Sequence, residues 1–104
     1  MTTGYVVMGV SGCGKSTIGR MLSERLGWVF FDADDFHPPE NIAKMKDGIP
    51  LNDEDRWPWL ERLAELLRSE ILSGRPPVLA CSALRNAYRE RLLDGNHGIR
   101  IVYL

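Results

Sequence analysis

The chain has 104 residues, a formal net charge of −1, 44% hydrophobic and 26% charged residues. That length is ordinary for one domain, and the near-zero charge gives no electrostatic case for nucleic acid or an anionic membrane. No apolar run approaches the roughly 20 residues that span a bilayer, so no membrane segment is expected.

Met1-Thr2-Thr3-Gly4 leads straight into an apolar run, Tyr5-Val6-Val7-Met8, so no signal peptide is expected. The two cysteines, Cys13 and Cys81, form no metal spacing, and a reduced, cytoplasmic setting is the simplest expectation. Gly9-Val10-Ser11-Gly12-Cys13-Gly14-Lys15-Ser16 follows the run and fits G-x-x-x-x-G-K-[ST] at every fixed position. A helical pattern from about Lys15 to Leu26 comes next, which is the strand–loop–helix context this motif needs. The glycines let backbone N–H groups turn inward around a phosphate, and the helix adds the positive end of its dipole. Gly9, Val10, Ser11, Gly12, Cys13, Gly14, Lys15, Ser16 and Thr17 are therefore the expected nucleotide-binding set. Lys15 is expected to reach the β- and γ-phosphates and the Ser16 hydroxyl to meet Mg²⁺, so ATP and Mg²⁺ are the expected cofactors. The dinucleotide fingerprint fails, because Thr17 stands where its third glycine belongs.

In the first helix, Ile18, Met21, Leu22 and Leu26 are spaced to form one apolar face, and Gly27 is a natural stop. Trp28-Val29-Phe30-Phe31 is apolar throughout and reads as a strand buried on both faces. It ends in Asp32-Ala33-Asp34-Asp35, where parallel sheets place their ligands. Asn41 to Lys46 is a short helix candidate with Ile42 and Met45 on one side. Asn52 or Asp53 can cap a longer helix, in which Pro58 is tolerable only near the start or at a kink. Leu60, Leu63, Ala64, Leu67 and Ile71 form its apolar stripe, and Gly74 ends it. Val78–Cys81 is a third strand, about Leu84 to Leu93 a helix, and Ile99–Leu104 a fourth strand. The alternation predicts an α/β fold with a parallel core.

From Phe31-Asp32-Ala33-Asp34-Asp35-Phe36-His37-Pro38 onward the sequence resembles the gluconokinase family, within the nucleoside-monophosphate-kinase-like P-loop kinases. Asn41-Ile42-Ala43-Lys44-Met45, the stretch from Gly48 to Leu60, and Cys81-Ser82-Ala83-Leu84-Arg85 with Tyr88-Arg89 carry the resemblance further. Arg85 departs from the family's usual lysine, and Cys13 from a common serine. The resemblance covers essentially the whole chain and implies a three-layer fold with parallel strand order 2-3-1-4. It also implies that the chain is the N-terminal portion of a longer kinase, one truncated P-loop kinase domain at 1–104 without the last strand and lid. An acceptor-binding insertion is expected at about 36–60. An exposed apolar sheet edge, open to self-association, is a further expectation. Family members are often dimers, which makes a homodimer the implied assembly.

The implied activity is ATP-dependent phosphorylation of D-gluconate to 6-phosphogluconate. Asp32 is assigned to the metal through its water shell, because it is the carboxylate placed directly at a strand end; the competing reading is a helix N-cap. Asp34 is the expected catalytic base, accepting the proton of the substrate hydroxyl, by analogy with related small-molecule kinases. Asp35 reads as structural. Gluconate is an anionic polyol, so a cation and several hydrogen-bond groups are needed. His37, Lys44, Arg56, Arg85 and Arg89 are the available donors, with Arg85 and Arg89 on one helix face. Trp57 and Trp59 read as core before pocket wall, and His97 as surface. A thiol at Cys13, in a phosphate nest, has the setting for a lowered pKa, although a small residue filling that place is the favoured reading. The alternatives are a kinase for another small acceptor, such as shikimate or a nucleotide, and a phosphate-binding fragment without turnover.

Overall fold

The computed structural model describes residues 2–9, 14–82, 86–93, 95–96 and 98–104. Expectations resting on Val10, Ser11, Gly12, Cys13, Arg85 and His97 lie outside the described residues. Four strands, β1 (Gly4–Met8), β2 (Val29–Asp32), β3 (Pro77–Cys81) and β4 (Ile99–Tyr103), form one sheet in the order β2-β3-β1-β4. Every pairing is parallel. The helices are α1 (Lys15–Leu26), α2 (Pro39–Lys46), α3 (Asp53–Leu72) and α4 (Asn86–Leu93), with a 3-10 turn at Ala33–Phe36. The register aligns Met8 with Cys81 and Tyr103, and Asp32 with Ala80. The carboxyl ends of all four strands therefore share one edge, to which the phosphate-loop glycines, the acidic turn and Ser82 are attached.

Side chains alternate across a strand. Val6, Met8, Leu79 and Cys81 face Trp59, Leu60, Leu63 and Leu67 of α3 and Tyr88 and Leu92 of α4, making one buried core. The intervening Val7, Val78 and Ala80 are buried as well, beneath α1. Covering on both faces is why β1 and β3 are continuously apolar.

Two expectations are corrected at the edges. β2 is not buried on both faces: it is an edge strand, and Val29 stays 39% exposed. The helix α1 has the expected bounds but does not bury its expected apolar face. Ile18, Met21 and Leu26 are exposed, Leu22 is half-buried, and the residues packed inward are Gly19 and Ser23. A Cβ on Gly19 would come within 2.6 Å of Phe30 Cε1, so the absence of a side chain lets the helix lie against the sheet. In α2, likewise, Ile42 and Met45 are exposed and the buried residue is Asn41. The opposite sheet edge, β4, leaves Tyr103 exposed and Ile99, Ile101 and Val102 half-buried.

Asn52 provides the cap of α3. Its side chain accepts from the Asp55 N–H at 2.8 Å, and the Asp55 carboxylate accepts from the Asn52 N–H at 3.1 Å. This reciprocal box satisfies two N–H groups that the helix start would otherwise leave orphaned. Pro58 lies inside the helix, within its second turn. Lacking an N–H, it withholds the bond to the Glu54 carbonyl without ending the helix.

Candidate active site

Gly14 precedes α1 with φ +83°, a left-handed conformation that glycine adopts without strain, and no side chain caps the helix start. Lys15 is the first helical residue and Ser16 the second. Ser16 Oγ donates to Asp32 Oδ2 at 3.1 Å, which joins the phosphate-loop helix to the end of β2. The other carboxylate oxygen, Asp32 Oδ1, accepts from the Asp34 backbone N–H at 3.0 Å. Asp32 thus caps the 3-10 turn, which is the competing reading of this residue, while its other oxygen meets the Ser16 hydroxyl. A hydroxyl and a carboxylate at a phosphate-binding helix start form a donor set that suits Mg²⁺, which takes a few protein oxygens and completes its shell with water and phosphate.

Beside this pair lies a cleft of about 410 Å³, reached by Asp34, His37, Arg56, Ser82 and Tyr88, with Trp59 as part of its wall. Met45, Ile49, Pro50 and Leu51 line it as well. Asp34 is exposed, whereas His37 is buried. The His37 ring stacks on Trp59 with centroids 4.3 Å apart and planes 14° apart. Trp59 is anchored in turn by its Nε1–H, which donates to the Ala33 carbonyl at 2.7 Å. Trp59 is accordingly both core and pocket wall, and Trp57 packs edge-on against Tyr88. Arg56 Nη1 donates to the Tyr88 hydroxyl at 3.0 Å, and that hydroxyl donates to Asp53 Oδ1. The guanidinium is thereby held at the cleft by groups from two helices.

Other expected residues are placed elsewhere. Lys44 Nζ sits 2.9 Å from both carboxylate oxygens of Asp55 and does not line the cleft. That hydrogen bond, with the Asn52 N–H second, holds the Asp55 carboxyl below its ordinary range. Arg89 donates to the Tyr103 hydroxyl at the end of β4, with its guanidinium over that ring, and it too lies off the cleft. Tyr88 and Ser82 carried no individual functional reading in the sequence, whereas Met45, Ile49, Pro50 and Leu51 fall within the expected acceptor-binding insertion. Tyr88 could have been found, since a tyrosine one turn from an expected ligand helix start is a candidate polar handle.

Burial pushes the His37 pKa below its ordinary value of 6.5; Asp34 opposes the shift and Arg56 adds to it. A histidine with a lowered folded pKa binds fewer protons than the unfolded chain just below 6.5. Its stabilising contribution is thus complete above that pH and is lost as pH falls toward the folded value. We expect denaturation midpoints to decline from about pH 7 toward pH 5, and His37→Gln to flatten part of that decline. An unchanged slope in the variant would show that His37 is not responsible.

Comparison with known proteins places these features in context. A family model described as shikimate kinase matches residues 11–104. A gluconokinase of Arabidopsis thaliana is 59% identical over 92 residues, covering 86% of this chain and 49% of the relative. The structure of a sugar kinase from Janibacter sp. HTCC2649 superposes with TM-score 0.92 at 47% identity, over 100% of this chain and 60% of that one. A gluconokinase from Sinorhizobium meliloti 1021 gives TM-score 0.85 at 44% identity, over 99% of this chain and 58% of that one. The chain spans about half the length of the curated relatives it matches.

Proposed function

The chain belongs to the shikimate kinase family, and from that premise we propose that the protein transfers the γ-phosphoryl group of ATP to the terminal hydroxyl of D-gluconate. The observation that carries the reading is that Asp34, which lines the polar cleft, is bonded through its N–H to the Asp32 carboxylate that also meets Ser16. Relatives bearing the name gluconokinase support gluconate as the acceptor.

Phosphoryl transfer is chiefly positioning and charge neutralisation. Gly9 to Thr17 hold the phosphates, with Lys15 at the β- and γ-oxygens. Ser16 would hold Mg²⁺ directly and Asp32 through its water shell, and the ion would neutralise phosphate charge. Asp34 orients the acceptor hydroxyl and takes its proton. Arg56, the arginine at the cleft among the described residues, faces the substrate carboxylate, and His37 and Tyr88 bind hydroxyls. Arg85 belongs to the same substrate set. Lys44 acts at one remove, by holding Asp55 and so the start of α3. The segment 36–60 supplies most of the cleft wall and serves as the acceptor-binding insertion. The reading takes the protein as cytoplasmic and homodimeric.

A second acceptor, shikimate, is favoured by the family description alone, and it too is a hydroxylated carboxylate. ADP formation with MgATP and each acid in turn separates the two. We expect gluconate-dependent turnover, falling at least about a hundredfold in Lys15→Ala, which lacks the phosphate-neutralising cation. Turnover with shikimate and none with gluconate would overturn the assignment.

A further inference from the structure

The pair formed by His37 and Asn41 deepens the gluconate reading and rests on it for the identity of the acceptor. Asn41 is only 2% exposed. Its side-chain nitrogen lies 2.8 Å from the Asp55 backbone carbonyl and 3.2 Å from His37 Nδ1. A carbonyl oxygen only accepts, so the Asn41 atom facing it must be the NH₂ and not the amide oxygen. That NH₂ only donates, so its second N–H requires a lone pair on His37 Nδ1. A neutral imidazole that accepts at Nδ1 carries its proton at Nε2. The reference point is firm: Asp55 is locked into the α3 cap by Asn52 and clamped by Lys44.

The other nitrogen, Nε2, is engaged by no protein group among the described residues. No side-chain nitrogen or oxygen among them is buried without a partner, so Nε2 reaches the cleft that the ring lines. The geometry points to His37 as a neutral Nε2–H donor to an oxygen of the acceptor, with Asn41 as the positioning residue that sets this tautomer. The division of labour is then chemical. Asp34 accepts from the reacting hydroxyl, whereas His37 donates to a different oxygen of the same polyol and helps fix which end is presented.

The charged groups facing the ring are Asp34 from the 3-10 turn and Arg56 from α3. Burial favours the neutral ring over the opposing influence of Asp34. Protonation would also set an Nδ1–H against the Asn41 NH₂, which acts in the same direction as burial.

The test is long-range ¹H–¹⁵N NMR of the imidazole rings in the intact chain at pH 7.5. The sequence holds two histidines, so His97→Gln assigns the signal of His37. The expected result is an unprotonated Nδ1 and a protonated Nε2, with the Nε2–H resonance moving on addition of D-gluconate. An Nδ1–H tautomer or an imidazolium would overturn the inference, with no substrate needed. The expected tautomer with no response to gluconate, in protein that turns gluconate over, would overturn the donor role. The expected tautomer with neither response nor turnover would instead remove gluconate as acceptor while leaving the role of Asn41 standing. Asn41→Leu, which removes the donor to Nδ1 at similar volume, should no longer confine the proton to Nε2 and should raise the KM for gluconate about tenfold. His37→Phe should raise KM similarly, and His37→Gln, which keeps an N–H near the Nε2 position, should restore most of it. A KM unchanged in His37→Phe would also overturn the donor role.

Discussion

Asp34→Asn is expected to lower kcat for gluconate phosphorylation by roughly 10²–10⁴-fold, the range for loss of a positioned general base. The substitution keeps the shape of the side chain and leaves the Asp34 N–H bonded to Asp32 Oδ1, so the turn keeps its cap. What disappears is the basicity: the amide oxygen still accepts a hydrogen bond but does not take the proton. Asp34 is exposed in the cleft, and its side chain supports no packing, so the melting temperature should stay within a degree or two. KM for gluconate should change far less than kcat, because the hydroxyl still finds a hydrogen-bond partner in the amide. Steady-state ADP release, with thermal denaturation of the same sample, measures both. A kcat within fivefold of the unaltered protein would remove Asp34 from the base role and direct attention to Asp32.

Leu63→Ala should destabilise the fold by about 2–5 kcal/mol, the cost of a fully buried leucine together with the cavity it leaves. Leu63 is 0% exposed and sits in the cluster that joins α3 to β1, β3 and α4. For a domain of this size each kcal/mol moves the melting temperature by roughly 4–8 °C, so a fall of at least about 10 °C is expected. Met21→Ala is the informative comparison. Met21 is just as apolar and just as periodic in the sequence, yet it is 51% exposed, and its loss should cost less than about 0.5 kcal/mol. Equal effects at the two positions would contradict the packing of α1 through Gly19 and Ser23.

The contrast between Leu63 and Met21 shows where hydrophobic periodicity succeeds. In α3 the stripe and the buried face coincide at Leu60, Leu63, Ala64 and Leu67, with Ile71 half-buried and Trp59 and Glu70 added, because that helix covers the sheet with side chains large enough to fill the space beneath it. In α1 the helix comes so close to β2 that only glycine and serine fit underneath, and the apolar residues turn outward. Periodicity reports which side chains are apolar, not how near the neighbouring element lies. The strand at Val29–Asp32 misleads for a related reason: a continuous apolar run signals burial on both faces, and an edge strand has only partial cover.

At the site the sequence placed the acidic turn at the strand ends, since that follows from chain connectivity, and Asp34 of that turn lines the cleft. It treated Lys44, Arg56 and Arg89 alike, because a cation in a sequence has no visible partner. Folding supplies Asp55 to Lys44 and the Tyr103 hydroxyl to Arg89, and leaves Arg56 at the cleft with Tyr88. Asn41 went unread for the same reason: its importance lies in two acceptors, one of them 14 residues away on another helix.

By itself the sequence determined the α/β class and the parallel character of the sheet, because both depend on local backbone demands: apolar runs that can stack and helical stretches that alternate with them. The strand order β2-β3-β1-β4 was legible only through the family resemblance. Only the tertiary structure decided which side chains meet. The Ser16–Asp32 bond, the stack of His37 on Trp59 and the Asn41 bridge join residues from separate elements. Contacts of that kind depend on distances between elements, which the spacing of residues along one chain does not record.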